Sequence, residues 1–570
     1  MTMKKNHFSL FTLLLLAAAM LTACSDLLNT ESEMVEFEED NTLNHPTDSM
    51  YSVMGIVNKM QMIADRTVLL GEVRGDLVVT TNEASSDLKR LASFDFKDAN
   101  KYCRVSDYYA VINNCNYFIN HVDTTLERRG VKIFETEYAA VKAFRAWTYL
   151  QLVINYGKVP LVTEPIMTEK EAEIAASGDR KGIEEICNYF IDDLTDYAYV
   201  KTPKYGDMGE NNRYHSEDMF IPMRALLGDL CLWAGRYREA ASWYHSYLGD
   251  KDNPILPNTT NYVKWTSSTE YKRPSDVYSA TDNYEVLSYI PMETRVVDGT
   301  VSDLQNIFCS TTQNNLYYQL TPSKDMRLLS ALQTYCQEYH YANSIDTIYA
   351  PKTGLLDDIY IGDLRLSSNF SMSSLGGQDK YSEYNTVSQT IKKVKSNSIT
   401  TYRRTMVWLR YAEALCRAGF PQSAFCILKY GLCNENAQLY IDEEERTAAA
   451  GLIDFNETWF TRNEVKGVHS NGSGDSQCNM YYTLPMPTVE LATKQDTINW
   501  QIPAVEDYII DEMALEGAFE GYRFFDLMRV ALRRNDPSYL ASFVSFRNGY
   551  RDETLYELLM IPDNWYLPLK

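Results

Sequence analysis

Two stretches of this chain share a local grammar that few folds satisfy. Leu232-Trp233-Ala234-Gly235-Arg236-Tyr237-Arg238-Glu239-Ala240 and Cys416-Arg417-Ala418-Gly419-Phe420-Pro421-Gln422-Ser423-Ala424 carry Ala, Gly and Ala at identical spacing. A glycine after a run of helix formers stops a helix, because it takes the left-handed C-terminal position without steric cost. The second alanine opens the next helix with a side chain small enough for close approach. This is the grammar of a tetratricopeptide-like helix hairpin. It also fits any other αα-hairpin.

Helical periodicity extends the pattern along the chain. An apolar repeat predicts a helix over 48–64. Tyr109, Ile112, Cys115 (or Asn116) and Ile119 recur near every 3.6 residues and predict a helix over 106–120. Phe134, Tyr138, Val141, Phe144, Trp147 or Thr148, and Leu152 share one face of a helix over 134–156, which Gly157 stops. Ile183, Ile186, Phe190, Ile191, Leu194 and Tyr197 define another amphipathic face. Two more helices are expected near 505–515 and 524–534. The fold class is therefore mainly α. Residues 49–249 and 400–570 form a helical scaffold within one domain spanning 49–570.

Between the two hairpins the character changes. Residues 250–399 are rich in Pro, Ser, Thr, Asn and Tyr and lack long helical periodicity. Loops on a rigid scaffold are where binding residues concentrate. Trp265, Tyr271, Tyr278, Tyr284 and Tyr289 fall here, as do Tyr317, Tyr318 and the Ser/Gly stretch over 371–377. The first five are the candidate ligand contacts. A flat apolar face joined to a hydroxyl suits sugars and wet interfaces. The chain holds 42 Tyr against 21 Phe, so most tyrosines must still serve the core. A second loop-rich stretch runs over 463–497.

The N-terminus reads as an export signal. Lys4 and Lys5 supply positive charge, and 8–20 is an apolar run shorter than the roughly 20 residues that span a bilayer. Leu21-Thr22-Ala23-Cys24 follows as a lipobox, so residues 1–23 are a lipoprotein signal peptide. Cleavage would leave a lipidated Cys24 at the head of a tether over 24–48. Each acyl CH2 buried in the membrane contributes about 0.8 kcal/mol, so such an anchor holds without a transmembrane helix.

Charge narrows the partners. The formal net charge is -23, which disfavours nucleic acid, because phosphates require a basic face. The eleven cysteines show no metal-ligand rhythm and, Cys24 apart, read as buried thiols. No nucleophile elbow, zinc-protease helix or phosphate loop is present, and the seven histidines form no metal cluster. No metal or cofactor is expected.

Near the C-terminus, Glu520, Arg523, Asp526 and Arg529 alternate in sign at spacings of three. On one helix such residues can pair along a face. With Phe524 and Phe525 they suggest a buried or half-buried polar brace that serves the fold.

The stretch Phe519-Glu520-Gly521-Tyr522-Arg523-Phe524-Phe525-Asp526-Leu527, with Arg529, resembles a signature of the SusD/RagB family of outer-membrane nutrient-binding lipoproteins of Bacteroidota. Trp408-Leu409-Arg410-Tyr411-Ala412-Glu413-Ala414-Leu415 is a second match. A third runs from Phe144-Arg145-Ala146-Trp147 to Tyr156-Gly157-Lys158-Val159-Pro160-Leu161. A fourth joins Gly71-Glu72-Val73-Arg74-Gly75-Asp76 to Ile112-Asn113-Asn114-Cys115-Asn116. The chain departs from the pattern at Met513-Ala514, at Glu516-Gly517-Ala518 and at Gly431-Leu432-Cys433-Asn434. These are the marks of a divergent member.

The resemblance implies a SusD-like α-helical fold with several tetratricopeptide-like hairpins and a long variable region that faces ligand. It also implies a cell-surface protein, anchored in the outer membrane through Cys24, that passes glycan to a SusC-like TonB-dependent transporter without catalysis. Capture of peptide is the alternative. A surface glycoside hydrolase is the third reading. It needs two carboxylates about 5 to 10 Å apart, and nothing in the sequence picks out such a pair.

Overall fold

The computed structural model describes residues 46–209, 214–257, 397–474 and 483–569 without interruption. Between 258 and 396 it describes 264–266, 270–272, 285–292, 300–308, 318–334, 336–340, 342–349, 363, 365, 370–372, 389–391, 393 and 394. The signal segment and Cys24 lie outside the described residues. Within them no helix is long and apolar enough to cross a membrane.

The fold is mainly α, and no described strand exceeds six residues. Helix α1 (Pro46–Glu72) runs past the expected end at 64, because Val68, Leu69 and Leu70 continue its buried face. Helices α2 (Ser106–His121) and α3 (Glu135–Tyr156) match their predicted spans to within a residue at each end. From Ala139 to Tyr156 only Gln151 of α3 escapes burial, which places this helix in the middle of the molecule. Gly157 ends it at φ +76°, and the Gly157 N–H bonds to the Val153 carbonyl at 2.8 Å.

The two hairpins form as their grammar requires. Helices α4 (Ile183–Leu194), α5 (Met223–Trp233) and α6 (Tyr237–Leu248) pack in sequence, with Gly235 turning the corner between the last two at φ +76°. Helices α7 (Arg404–Arg417) and α8 (Pro421–Lys429) turn at Gly419, φ +99°. Ala240 and Ala424 are both fully buried. Close approach in the first pair also needs Gly228. A Cβ there would lie 2.4 Å from the ring of Tyr244.

Helix α6 packs directly on α7 although residues 249–403 separate them. The helical array is thus continuous across the loop-rich segment. A buried carboxylate pins the junction: Tyr244 and Tyr402 donate their hydroxyls to Asp229 at 2.5 and 2.7 Å, and Arg410 donates at 2.7 Å. Helix α9 (Lys494–Gly517) starts well before the expected 505. A capping box between Thr493 and Asp496 initiates it, and it carries Pro503 in its interior.

The segment expected as loop contains short antiparallel pairs. Val286–Pro291 pairs with Ser398–Arg403, and Cys336–His340 pairs with Ile345–Tyr349. Phe370–Met372 pairs with Gln389–Ile391, and Leu320–Pro322 reaches back to Val78–Thr80. One cysteine corrects its expectation. Cys336 is disulfide-bonded, to a partner outside the described residues. Cys115, Cys187, Cys231, Cys416, Cys426 and Cys433 are buried free thiols as expected, and Cys103 is a free thiol that is only half-buried.

Where α9 hands over to α10 (Arg523–Arg534), the chain turns through Phe519 at φ +68° and Gly521 at φ +95°. Glu72 accepts a hydrogen bond from the Gly521 N–H at 2.8 Å. Burial pushes the Glu72 carboxyl up to about 8. Between its ordinary range and that value the folded chain holds a proton that the unfolded chain has released. Stability therefore falls as pH rises through this interval and levels off above it. Glu72→Gln stays neutral throughout, so its urea midpoint is expected to gain on wild type from roughly pH 5 to about pH 8. Parallel pH profiles for the two proteins would mean that the carboxyl is ionised in the fold.

Candidate ligand-binding face

Two of the five predicted contacts are brought together. Lys264–Thr266 and Glu270–Lys272 form a hairpin in which Trp265 and Tyr271 are direct cross-strand partners. Directly opposed positions of an antiparallel pair share one face of the ribbon. Tyr278 and Tyr284 lie outside the described residues.

Tyr289 is a correction. It sits in the strand Val286–Pro291 at 1% exposure, packed with Tyr214 and Met219 in a small satellite core. Its hydroxyl donates to the His215 carbonyl at 3.2 Å. Ser288 and Ile290 on either side are buried as well, so the strand is covered on both faces and Tyr289 offers no surface to a ligand. Tyr318, a further loop aromatic, is also buried.

Other residues of the segment between the hairpins are fastened to the helical scaffold by a buried ionic clamp. Arg365 donates to Asp363 at 2.7 and 3.0 Å, to Glu512 at 2.6 Å and to Glu516 at 2.8 Å. Arg403, at the end of the strand Ser398–Arg403, donates to Glu516 at 2.6 Å, to Glu285 at 3.1 Å and to Glu520 at 2.9 Å. Arg404 reaches Glu285 at 2.7 Å, and Lys393 pairs with Glu520 and donates to the Glu516 carbonyl at 2.7 Å. His469 and Asn471 close the cluster on Glu512 and Glu516 at 2.8 and 3.1 Å.

Every charge in the clamp has an opposite partner, which is the condition under which buried ions are tolerated. Burial pushes the Glu516 carboxyl up, and the Arg403 and Arg365 guanidiniums more than offset this, holding it at about 2. The Glu512 carboxyl is likewise below its ordinary range. Burial opposes this, and Arg365 and His469 bring it about. Glu512 and Glu516 are a close carboxylate pair, yet both are fully buried and bonded to Arg365. They are arranged to hold a guanidinium, not to move protons on a substrate. Among the described residues no group of three or more His, Cys, Asp or Glu could hold a metal ion.

The charge ladder expected along the last signature is only partly formed. Asp526 and Arg529 do pair, at 2.8 Å. Arg523 instead donates to Asp76 at 2.6 and 2.9 Å, and Glu520 goes to Arg403 and Lys393. The reason is that α10 begins at Arg523, so Glu520 sits in the preceding turn and off the helix face. The brace is buried as expected, but it ties distant elements together. Sequence reasoning missed Arg365, Lys393 and Glu285. The one available signal was the adjacent pair Arg403-Arg404 at the head of a helix in an acidic chain.

No protein-family model and no curated protein matches the chain. Solved structures do. A SusD superfamily protein from Bacteroides thetaiotaomicron VPI-5482 superposes with a TM-score of 0.53 at 17% identity, over 92% of this chain and 94% of its own. A second from the same organism gives 0.54 at 14% identity, over 85% and 89%. A SusD-like carbohydrate binding protein from Bacteroides fragilis NCTC 9343 gives 0.50 at 15% identity, over 88% and 89%.

Proposed function

Taking as premise that this chain has the SusD-like fold, we propose that it is a cell-surface lipoprotein that captures glycan and delivers it to a SusC-like TonB-dependent transporter. The supporting observation is the likeness, over most of the chain, to a structure described as a SusD-like carbohydrate binding protein. In this reading Cys24 carries the lipid anchor, and Trp265 and Tyr271, cross-strand partners in one hairpin, are the aromatic residues that contact sugar. Tyr278 and Tyr284 are the further contacts of the same reading. The protein binds and releases, and the chemistry of degradation lies elsewhere.

The test is a glycan array and affinity gels on the form beginning at Ser25, with turnover assayed in parallel. Binding without turnover is expected, and Trp265→Ala is expected to weaken it about tenfold, the loss of one stacking contact. Turnover would replace this reading with a hydrolase. Binding to peptides and to no glycan would replace the ligand class.

A further inference from the structure

A cleft of about 1020 Å³ opens between the corner of the α5–α6 hairpin and the C-terminal segment 562–569. None of its walls comes from residues 250–399, so it is separate from the candidate face described above. Its volume is at the upper end of the range for small-molecule sites.

Six aromatic residues line it: Phe96, Trp233, Tyr237 and Tyr566 are half-buried, and Phe94 and Tyr156 are buried. Two of them are held by arginines that also line the cleft. Arg529 lies 5.2 Å from the centre of the Trp233 ring, and Arg417 and Arg533 lie 5.5 and 5.3 Å from that of Tyr237. Those guanidiniums are themselves fixed. Arg529 bonds Glu413 at 2.8 Å, while Arg417 and Arg533 share Glu506 at 2.7 and 2.8 Å. Tyr566 lies flat against Gly157, where a Cβ would come within 2.9 Å of the ring. The aromatic walls are thus pre-set, and a ligand would not have to order them.

The rim carries Lys158 and Arg180 on one hand and Glu184 and Asp563 on the other, all four exposed. Equal numbers of donors and acceptors discriminate between ligands. An acyl chain would leave the charges facing apolar atoms, and a polyanion would meet two carboxylates at the rim and, deeper in, Arg417, Arg529 and Arg533 already paired with Glu506, Glu413 and Asp526. A neutral polyhydroxyl ligand satisfies both kinds, since each hydroxyl donates and accepts, and its C–H faces can lie on the rings. We propose that this cleft is a second binding site, for a neutral oligosaccharide. It stands on the chemistry of the cleft and does not depend on capture at the loop-rich face.

The test uses the full chain in a sugar-free detergent. Maltoheptaose, cellohexaose, xylohexaose, mannohexaose and laminarihexaose are titrated by calorimetry against wild type, Tyr237→Ala, Asp563→Ala and Trp265→Ala. At least one sugar is expected to bind wild type and Trp265→Ala alike, and to bind Tyr237→Ala about tenfold more weakly. Asp563→Ala, a change at an exposed position that leaves the fold intact, is expected to weaken the same sugar severalfold. The proposal is overturned by binding of none of the five, or by affinities that Asp563→Ala and Tyr237→Ala both leave unchanged. It is also overturned if an unstructured peptide displaces the sugar from Trp265→Ala. Loss on Trp265→Ala alone would support capture at the loop-rich face and reject this site. The reverse pattern would do the opposite.

Discussion

Glu516→Ala is expected to lower the unfolding free energy by about 3 to 5 kcal/mol, the cost of removing one partner from a buried ion pair. Glu516 is fully buried and accepts from Arg365, Arg403 and Asn471. Its removal takes away the one carboxylate that the two buried guanidiniums share and leaves a donor of each, and the Asn471 amide, without an acceptor there. Desolvation then dominates, because water cannot reach the site to compensate. Glu520→Ala is the comparison. That side chain is 15% exposed, so its loss lets water in and costs less. Urea denaturation of the two variants beside wild type decides the matter. A loss below about 1 kcal/mol for Glu516→Ala would show that the clamp is dispensable.

The same residue sets a pH response. Glu516 and Glu413 are both held at about 2, against burial, by their arginine partners. Their contribution is fully present above the ordinary carboxylate range and is lost as pH falls from there toward about 2. Glu516→Ala should therefore flatten the acid limb of the stability profile. Because the clamp holds the strand Ser398–Arg403, the proposed capture reading adds that the variant weakens glycan binding without touching ligand.

The second large effect is expected at two glycines that meet backbone to backbone. A Cβ on Gly71 would lie 1.7 Å from the Gly521 carbonyl oxygen, and a Cβ on Gly521 would lie 2.2 Å from that of Thr67. Neither obstacle is a side chain that could rotate away. Gly521 also sits at φ +95°, where a Cβ is strained whatever the space. Gly71→Ala and Gly521→Ala are each expected to cost about 4 kcal/mol or more, or to abolish soluble expression. Gly419→Ala separates strain from contact. Its φ is +99°, but a Cβ there meets nothing within 4 Å, so only the backbone term of about 1 to 2 kcal/mol applies. Equal melting temperatures for Gly71→Ala and Gly419→Ala would falsify the close-contact account.

Much of the helical scaffold is legible in the order of residues alone. The helices over 106–121 and 135–156 follow from apolar residues recurring at the helical period, a signal carried by near neighbours. The corners at Gly157, Gly235 and Gly419 follow from one residue's freedom at positive φ. Pro503 hid the first half of α9, since local rules read proline as a stop. The candidate site was legible only as a composition. Alternating hydrophobicity is too short to register in strands of three to six residues, so the burial of Tyr289 could not be read from its sequence neighbours.

By itself, then, the sequence determined the fold class, the two hairpin corners and the burial of the terminal signature. The first two rest on interactions between residues a few positions apart, and the third on the apolar residues that flank the charges. Only the tertiary structure decided that Arg523 would bond Asp76, that Arg365 and Arg403 would share Glu516, and that α6 would pack on α7 across the loop-rich segment. A charge carries no local preference for its partner. Which carboxylate it meets depends on where folding brings the backbone, and burial then makes that choice binding, because an ion left alone in the core costs more than the fold can spare.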